Sequence, residues 1–202
     1  MRDDEYPARP IGDDPFHALT KFILESVSLY VKRVRLSNRE VRELRETVKL
    51  MAPVLEGADV VEIVQVSERE YLYLIDNEPL FLKTAHKDVG EYIVPTLFLI
   101  HKSAKGKSLP QYPKVVVDAG AVKPIINGAD VMRPGIKEFL GDFNKGDVVF
   151  VADEKGRVIA ITAALYSKQE ILQMQKGKVL INLHHLGDKV WQISLELAKE
   201  KA

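Results

Sequence analysis

The chain has no cysteine. That absence excludes disulfides, thiolate zinc sites and a cysteine nucleophile. It has no excess charge either. Lys+Arg and Asp+Glu both number 29, so the net charge is zero. A protein that coats nucleic acid through bulk positive charge is thereby excluded, and any site for a polyanion must be a local patch. Long apolar runs are missing too: the longest are about six residues, against the roughly 20 that a membrane-spanning helix needs. Met1–Asp14 is acidic and proline-bearing with no apolar segment, unlike a signal peptide. These absences lead to the expectation of a soluble cytoplasmic protein with no membrane partner.

What is present suffices for a packed core. The 202 residues are 46% apolar and 29% charged, too apolar for a disordered chain and long enough for one large or two small domains. Residues 1–15 read as a flexible acidic N-terminus. Phe16, Leu19, Phe22 and Ile23 suit a short helix. Val27–Leu36 alternates like a strand with a basic end. Ser37 and Glu40 form a capping box. Val41, Leu44, Val48, Met51 and Leu55 then mark one helical stripe running to Leu55. Residues 60–66, 71–75 and 80–82 predict a three-strand meander with Asp76-Asn77 as a tight turn. Pro95-Thr96 opens a helix reaching His101, and Ser103–Pro110 reads as a linker.

After that linker, strands are expected at 114–118, 131–132, 147–152, 157–164, 178–183 and 190–193, with a helix at 119–127 and a helical turn behind a second capping box, Ser167–Glu170. Many short strands with a single helix near the start suggest a barrel rather than a βαβ fold. The expected fold class is α+β: N-terminal helices on a small antiparallel sheet over residues 16–108, followed by a mixed β-barrel over 109–202.

No GxSxG, Walker A or GxGxxG motif occurs, and no catalytic residue, cofactor or metal is assigned. Adjacent His184 and His185 in a strand point to opposite faces and do not suit one ion. Trp191, alone in the predicted last strand, reads as core. Asp118 reads as a cap. The densest basic cluster is Lys32, Arg33 and Arg35, followed by Arg39, Arg42 and Arg45 interleaved with Glu40, Glu43 and Glu46.

The stretch from Val117-Asp118-Ala119-Gly120-Ala121 through Lys123-Pro124 to Met132-Arg133-Pro134-Gly135-Ile136 resembles the PUA domain. Gly146–Val151, Gly156–Ile161 and His185–Trp191 follow in the same order as in that domain. Val94–Lys102, placed just before it, is similar to the pre-PUA module of the malignant T-cell-amplified sequence family and its archaeal relatives. So are Leu74–Phe81 and Ile181–Leu186. The resemblance implies a non-catalytic RNA-binding protein of the translation apparatus, recognising structured RNA such as a tRNA end or small-subunit rRNA. It also implies the small ribosomal subunit and initiation or recycling factors as partners. The alternatives are an accessory module presenting RNA to a tRNA or rRNA modification enzyme, and an enzyme with an inter-domain site.

The RNA-binding residues it points to are Gly120, Ala121, Lys123, Arg133, Pro134, Gly135 and His185, with Lys32, Arg33 and Arg35 as a second basic patch. There is a physical case for the first set. Small residues at a helix start let a sugar or phosphate approach, and the helix N-terminus favours an anion. Arg133 is expected on a strand with a free edge, offering a guanidinium and backbone groups.

Overall fold

Two sheets follow each other along the chain in the computed structural model, which describes residues 32–199. The expected acidic tail, the helix at 16–26 and the beginning of the strand from Val27 lie outside these residues. The first sheet is antiparallel throughout. It comprises β1 (Arg33–Arg35), β2 (Val61–Gln65), β3 (Tyr71–Ile75), β4 (Glu78–His86) and β5 (Gly90–Pro95), ordered as in the chain. Asp76 and Asn77 close the β3–β4 hairpin with φ of 52° and 67°, the doubly positive backbone that a two-residue hairpin wants and that Asp and Asn tolerate. The Asp76 carboxylate then accepts from the Asp59 and Val60 amides and from Lys105. The expected meander is the centre of this sheet, and β5 is a strand beyond it.

Helix α1 (Asn38–Thr47) starts at the expected capping box: the Ser37 hydroxyl accepts from the Glu40 amide, and the Glu40 carboxylate accepts from the Ser37 amide. The helix does not reach Leu55. It stops at Val48, and Lys49–Leu55 continues as a 3-10 turn. Pro53 explains the break. It has no amide proton to give the Lys49 carbonyl, and its ring would collide with that carbonyl in an α-helix. The stripe survives the change of winding. Leu44, Val48, Met51, Val54 and Leu55 are all buried, in one cluster with Val61, Phe81 and Leu99.

Thr96 caps the short helix α2 (Leu97–His101) by accepting from the Leu99 amide. The segment expected as a linker is a 3-10 turn, Ala104–Ser108. Gly106 is required there, because a Cβ would lie 2.4 Å from the Leu99 carbonyl oxygen. Ser103 and Lys105 bond to Glu78 and Asp76.

The second sheet is mixed and curls into a half-barrel. Its strands are β6 (Lys114–Val117), β7 (Val131–Met132), β8 (Ile136–Leu140), β9 (Val148–Ala152), β10 (Val158–Ala164) and β11 (Lys178–His185), in the order β7-β11-β10-β9-β6-β8. Only the β6–β9 pair is parallel. Helix α3 (Ala119–Ile126) follows β6, and helix α4 (Lys168–Gln173) follows the capping box at Ser167–Glu170. Ile125, Val131, Val149, Val151, Ile159 and Leu180 are among the side chains that fill the barrel.

Two expectations fail here. Arg133–Gly135 is not a strand but a 3-10 turn between β7 and β8, because Pro134 fixes φ and has no amide for a ladder. Residues 190–193 are not a closing strand. They belong to helix α5 (Lys189–Lys199), which buries Val190, Ile193, Ser194 and Leu197 at steps of three, one and three. Four apolar-rich residues do not distinguish strand from helix, and here the Asp188 carboxylate decides by accepting from the Trp191 amide at 2.7 Å. Trp191 therefore sits half-buried on a helix, edge-on to His101 with centroids 6.2 Å apart.

Buried polar contacts join the two sheets. His184, 1% exposed, accepts the Leu97 amide on Nε2 at 3.1 Å. Its proton therefore lies on Nδ1 and is donated to Asp188 at 2.6 Å. Asp188 also accepts from the His185 amide. Around this chain, the Tyr92 hydroxyl donates to the Gly146 carbonyl, the Lys189 ammonium to the Val66 carbonyl, and His101 bonds the Val158 carbonyl. Burial works to raise the Asp188 carboxyl, but His184 and the Trp191 and His185 amides outweigh it and hold the group below the usual carboxylate value. For Asp76, burial is likewise outweighed by the Val60 amide and Lys105.

Replacing His184 by Phe leaves the buried Leu97 amide without its partner and removes one of the donors to the Asp188 carboxylate. The expected cost is about 1–3 kcal/mol, read from urea unfolding followed by circular dichroism. A carboxyl whose pKa is depressed in the folded state stabilises above its unfolded value of about 3.9 and loses that contribution as pH falls through the folded value. Thermal stability is therefore expected to drop below about pH 4, and to drop less steeply in Asp188→Asn. An unchanged acid slope in that variant would assign the loss to other carboxylates.

Candidate nucleic-acid interface

The segment from Asp118 to Gly135 folds back on itself. The Asp118 side chain caps α3 by accepting from the Ala121 amide at 2.9 Å, and its own amide donates to the Gly135 carbonyl at 2.9 Å. The 133–135 turn is thus pinned to the start of α3. A Cβ at Gly135 would come 2.9 Å from the Ala121 methyl, so Ala121 and Gly135 are small because they pack on each other. Gly120, Lys123 and Pro134 are exposed. An added Cβ at Gly120 would meet only its own cap, the Asp118 carboxylate.

Arg133 turns inward. Its Nε donates to the Ile171 carbonyl at 2.9 Å and its Nη1 to the Ile136 carbonyl at 3.3 Å, with the guanidinium 5.5 Å from the Phe139 ring centroid. It ties together the 133–135 turn, β8 and the end of α4. His185 is half-buried at the other end of α3. Its Nδ1 bonds the Leu186 carbonyl, and its Nε2 lies 3.4 Å from where a Gly128 side chain would begin. Gly128 has a φ of 90° and ends the helix.

Other residues that shape this face carry no local sequence signal. The Asn182 side-chain amide donates to the carbonyls of both Ile125 and Ala129, each at 3.0 Å, and so fixes the C-terminal end of α3 to β11. Asp130 accepts from the Asn182 amide and pairs with Lys178 at 2.9 Å. Lys137 pairs with Glu154, whose hydrogen bond and charge raise the lysine pKa, with a smaller push from Asp118. Since Asp118 already holds the Ala121 amide and brings a negative charge, the start of α3 is not a vacant anion cradle. The cationic character of the face rests on Lys123 and on the paired Lys137.

The second basic patch lies on the other sheet. Lys32 and Arg35 are exposed. Arg33 reaches the Asn77 side chain at 3.1 Å and approaches Glu62 at 3.8 Å. On α1, Arg39 pairs with Glu43, while Arg42 and Arg45 donate to the Asn38 and Leu55 carbonyls. His184, His185 and His101 each have a partner described above. Among the described residues no group of three His, Asp or Glu is placed to hold a metal, and no helix is long and apolar enough to cross a membrane.

These roles separate by mutation. Arg133→Ala removes two hydrogen bonds that tie three elements and is expected to cost about 1–3 kcal/mol. Lys123→Ala on the exposed face is expected to stay within about 0.5 kcal/mol. Chemical denaturation of the two variants against wild type is the measurement. Equal stabilities would return Arg133 to the exposed face.

Residues 113–186 match the family described as PUA domain, and residues 32–103 match a family described as a domain of unknown function. An uncharacterized protein of Methanocaldococcus jannaschii is 37% identical, over 79% of this chain and 95% of that protein. Translation machinery-associated protein 20 of Saccharomyces cerevisiae is 32% identical, over 67% of this chain and 74% of the yeast protein. A PUA-domain crystal structure from Aeropyrum pernix, determined as a tartrate complex, superposes with a TM-score of 0.67 at 25% identity, covering 83% of this chain and 93% of that one. With the two matched segments in order along the chain and these identities spanning most of its relatives' lengths, the chain belongs to the family of pre-PUA and PUA proteins that includes translation machinery-associated protein 20 and the malignant T-cell-amplified sequence proteins.

Proposed function

We propose that this protein binds structured RNA in the translation apparatus through the exposed face of residues 109–202, without performing chemistry on it. One observation carries the reading: Gly120, Lys123 and Pro134 stand exposed on one pinned segment of the barrel, and His185 borders its far end. The helix–turn unit is held by its own hydrogen bonds, so its exposed groups are pre-organised rather than loop-borne. Family membership beside translation-associated relatives supports the cellular setting. A tRNA end or small-subunit rRNA is the proposed RNA. The small ribosomal subunit with initiation or recycling factors is the proposed assembly.

Zero net charge and a face with few cations imply that shape outweighs phosphate neutralisation. Affinity for folded tRNA or rRNA is expected to exceed that for a homopolymer of equal length. The salt dependence should be shallow, corresponding to about 2–4 ion contacts. Lys123→Glu should weaken binding of all RNAs and lower that slope by about one contact, with thermal unfolding confirming an intact fold. Titrations of both ligands over a range of salt decide the matter. Equal affinities with a steep slope would reduce the interaction to electrostatic adsorption. Co-sedimentation with ribosomes, rather than tight association with an RNA-modifying enzyme, separates the translation reading from that of an accessory module.

A further inference from the structure

A cleft of about 540 Å³ opens between the β2–β3 turn, the end of β4 and β11. This lies within the roughly 300–1,000 Å³ of small-ligand sites. Its floor includes the buried Thr84 and Leu183, and Arg69 and His86 stand on its walls. One further wall residue is Asn182, whose amide group holds the C-terminal end of α3 from behind. The cleft and the proposed RNA face therefore share a wall.

Its walls are tethered to one another. Lys178 on β11 pairs with Asp88, two residues beyond His86, at 3.6 Å. Lys189 on α5 donates to the Val66 carbonyl, at the base of the β2–β3 turn. The chemistry inside suits a base better than a phosphate. Glu68 and Glu70 line the cleft beside Arg69, so an anion meets as much repulsion as attraction. Arg guanidinium and His are among the groups on which unstacked bases rest. The Asp88 amide donates to His86 Nδ1, which places that ring's proton on Nε2 as a donor.

We infer that this cleft receives one unpaired base of the RNA whose folded part lies on the α3 face, with Arg69 and His86 holding the base and the Thr84 hydroxyl reading its edge. The inference rests on the RNA-binding reading above and adds to it a single-stranded nucleotide and a site contributed by both sheets.

The test compares a blunt RNA stem with the same stem carrying a short single-stranded overhang on either end. Wild-type protein, Arg69→Ala with His86→Ala, and Lys123→Glu are titrated by fluorescence anisotropy. Wild type is expected to prefer one overhang by about fivefold or more, the lower end of one stacked base. The double variant should lose that preference and keep its affinity for the blunt stem. Lys123→Glu should weaken both RNAs and keep the preference. Equal wild-type affinity for blunt and overhanging stems, or a preference that survives in the double variant, overturns the cleft and leaves the α3 face standing. Failure of wild type to bind any stem overturns both. Arg69 is exposed in a turn, so Arg69→Ala alone replaces the double variant should the latter unfold, with the same two outcomes.

Discussion

One buried hydrogen-bonded chain holds the described part of this molecule together: the Leu97 amide to His184, and His184 to Asp188. Each member has a second duty. Leu97 begins α2, whose cap Thr96 is itself buried and bonded to the Pro79 carbonyl. Asp188 begins α5 by accepting from the Trp191 amide. His184 lies in β11, the strand whose neighbours are β10 and β7. Two helix starts and the barrel thus meet on one imidazole, and its neutral tautomer is dictated by what each neighbour can give or accept. Removing a link leaves polar groups in a place without water to compensate, where an unmade bond is costly.

The candidate RNA face depends on that joint at one remove. Asn182, two residues before His184, anchors the end of α3, and the 133–135 turn is stitched to its beginning by Asp118 and Gly135. Arg133, expected among the RNA-contacting residues, is half-buried and fastens three elements together. A guanidinium with fixed donors is well suited to collecting carbonyls at element ends, and that use leaves less of it for a ligand. The exposed chemistry that remains is sparse, consistent with a protein of balanced charge.

Much of this architecture is legible in the sequence wherever a local rule acts alone. Ser37–Glu40 and Ser167–Glu170 are capping boxes in both readings. Asp76-Asn77 turns where expected, and the run of short strands marks the half-barrel. Legibility fails where a distant partner or a single proline intervenes. Pro53 rewinds the last turns of a correctly patterned stripe, Pro134 takes Arg133 off the ladder, and Asp188 makes a helix out of an apolar run too short to declare its period. On the site itself, the exposure of Gly120 and Lys123 follows from local pattern. The inward turn of Arg133 and the anchoring by Asn182 do not, because their partners lie 38 and more than 50 residues away in sequence.

The parallel pairing of β6 with β9 carries a consequence in time. A parallel pair needs a crossover, and here that connection contains α3, β7, the 133–135 turn and β8, which carry the candidate RNA face apart from His185 and the anchoring Asn182 on β11. Within it β7 pairs only with β11, and α3 is anchored by Asn182 on the same strand. During synthesis the face therefore remains unassembled until β11, the last strand of the second sheet, has emerged. A chain built this way finishes the candidate face only when the last strand of its second sheet has joined, however early α3 and the 133–135 turn are made.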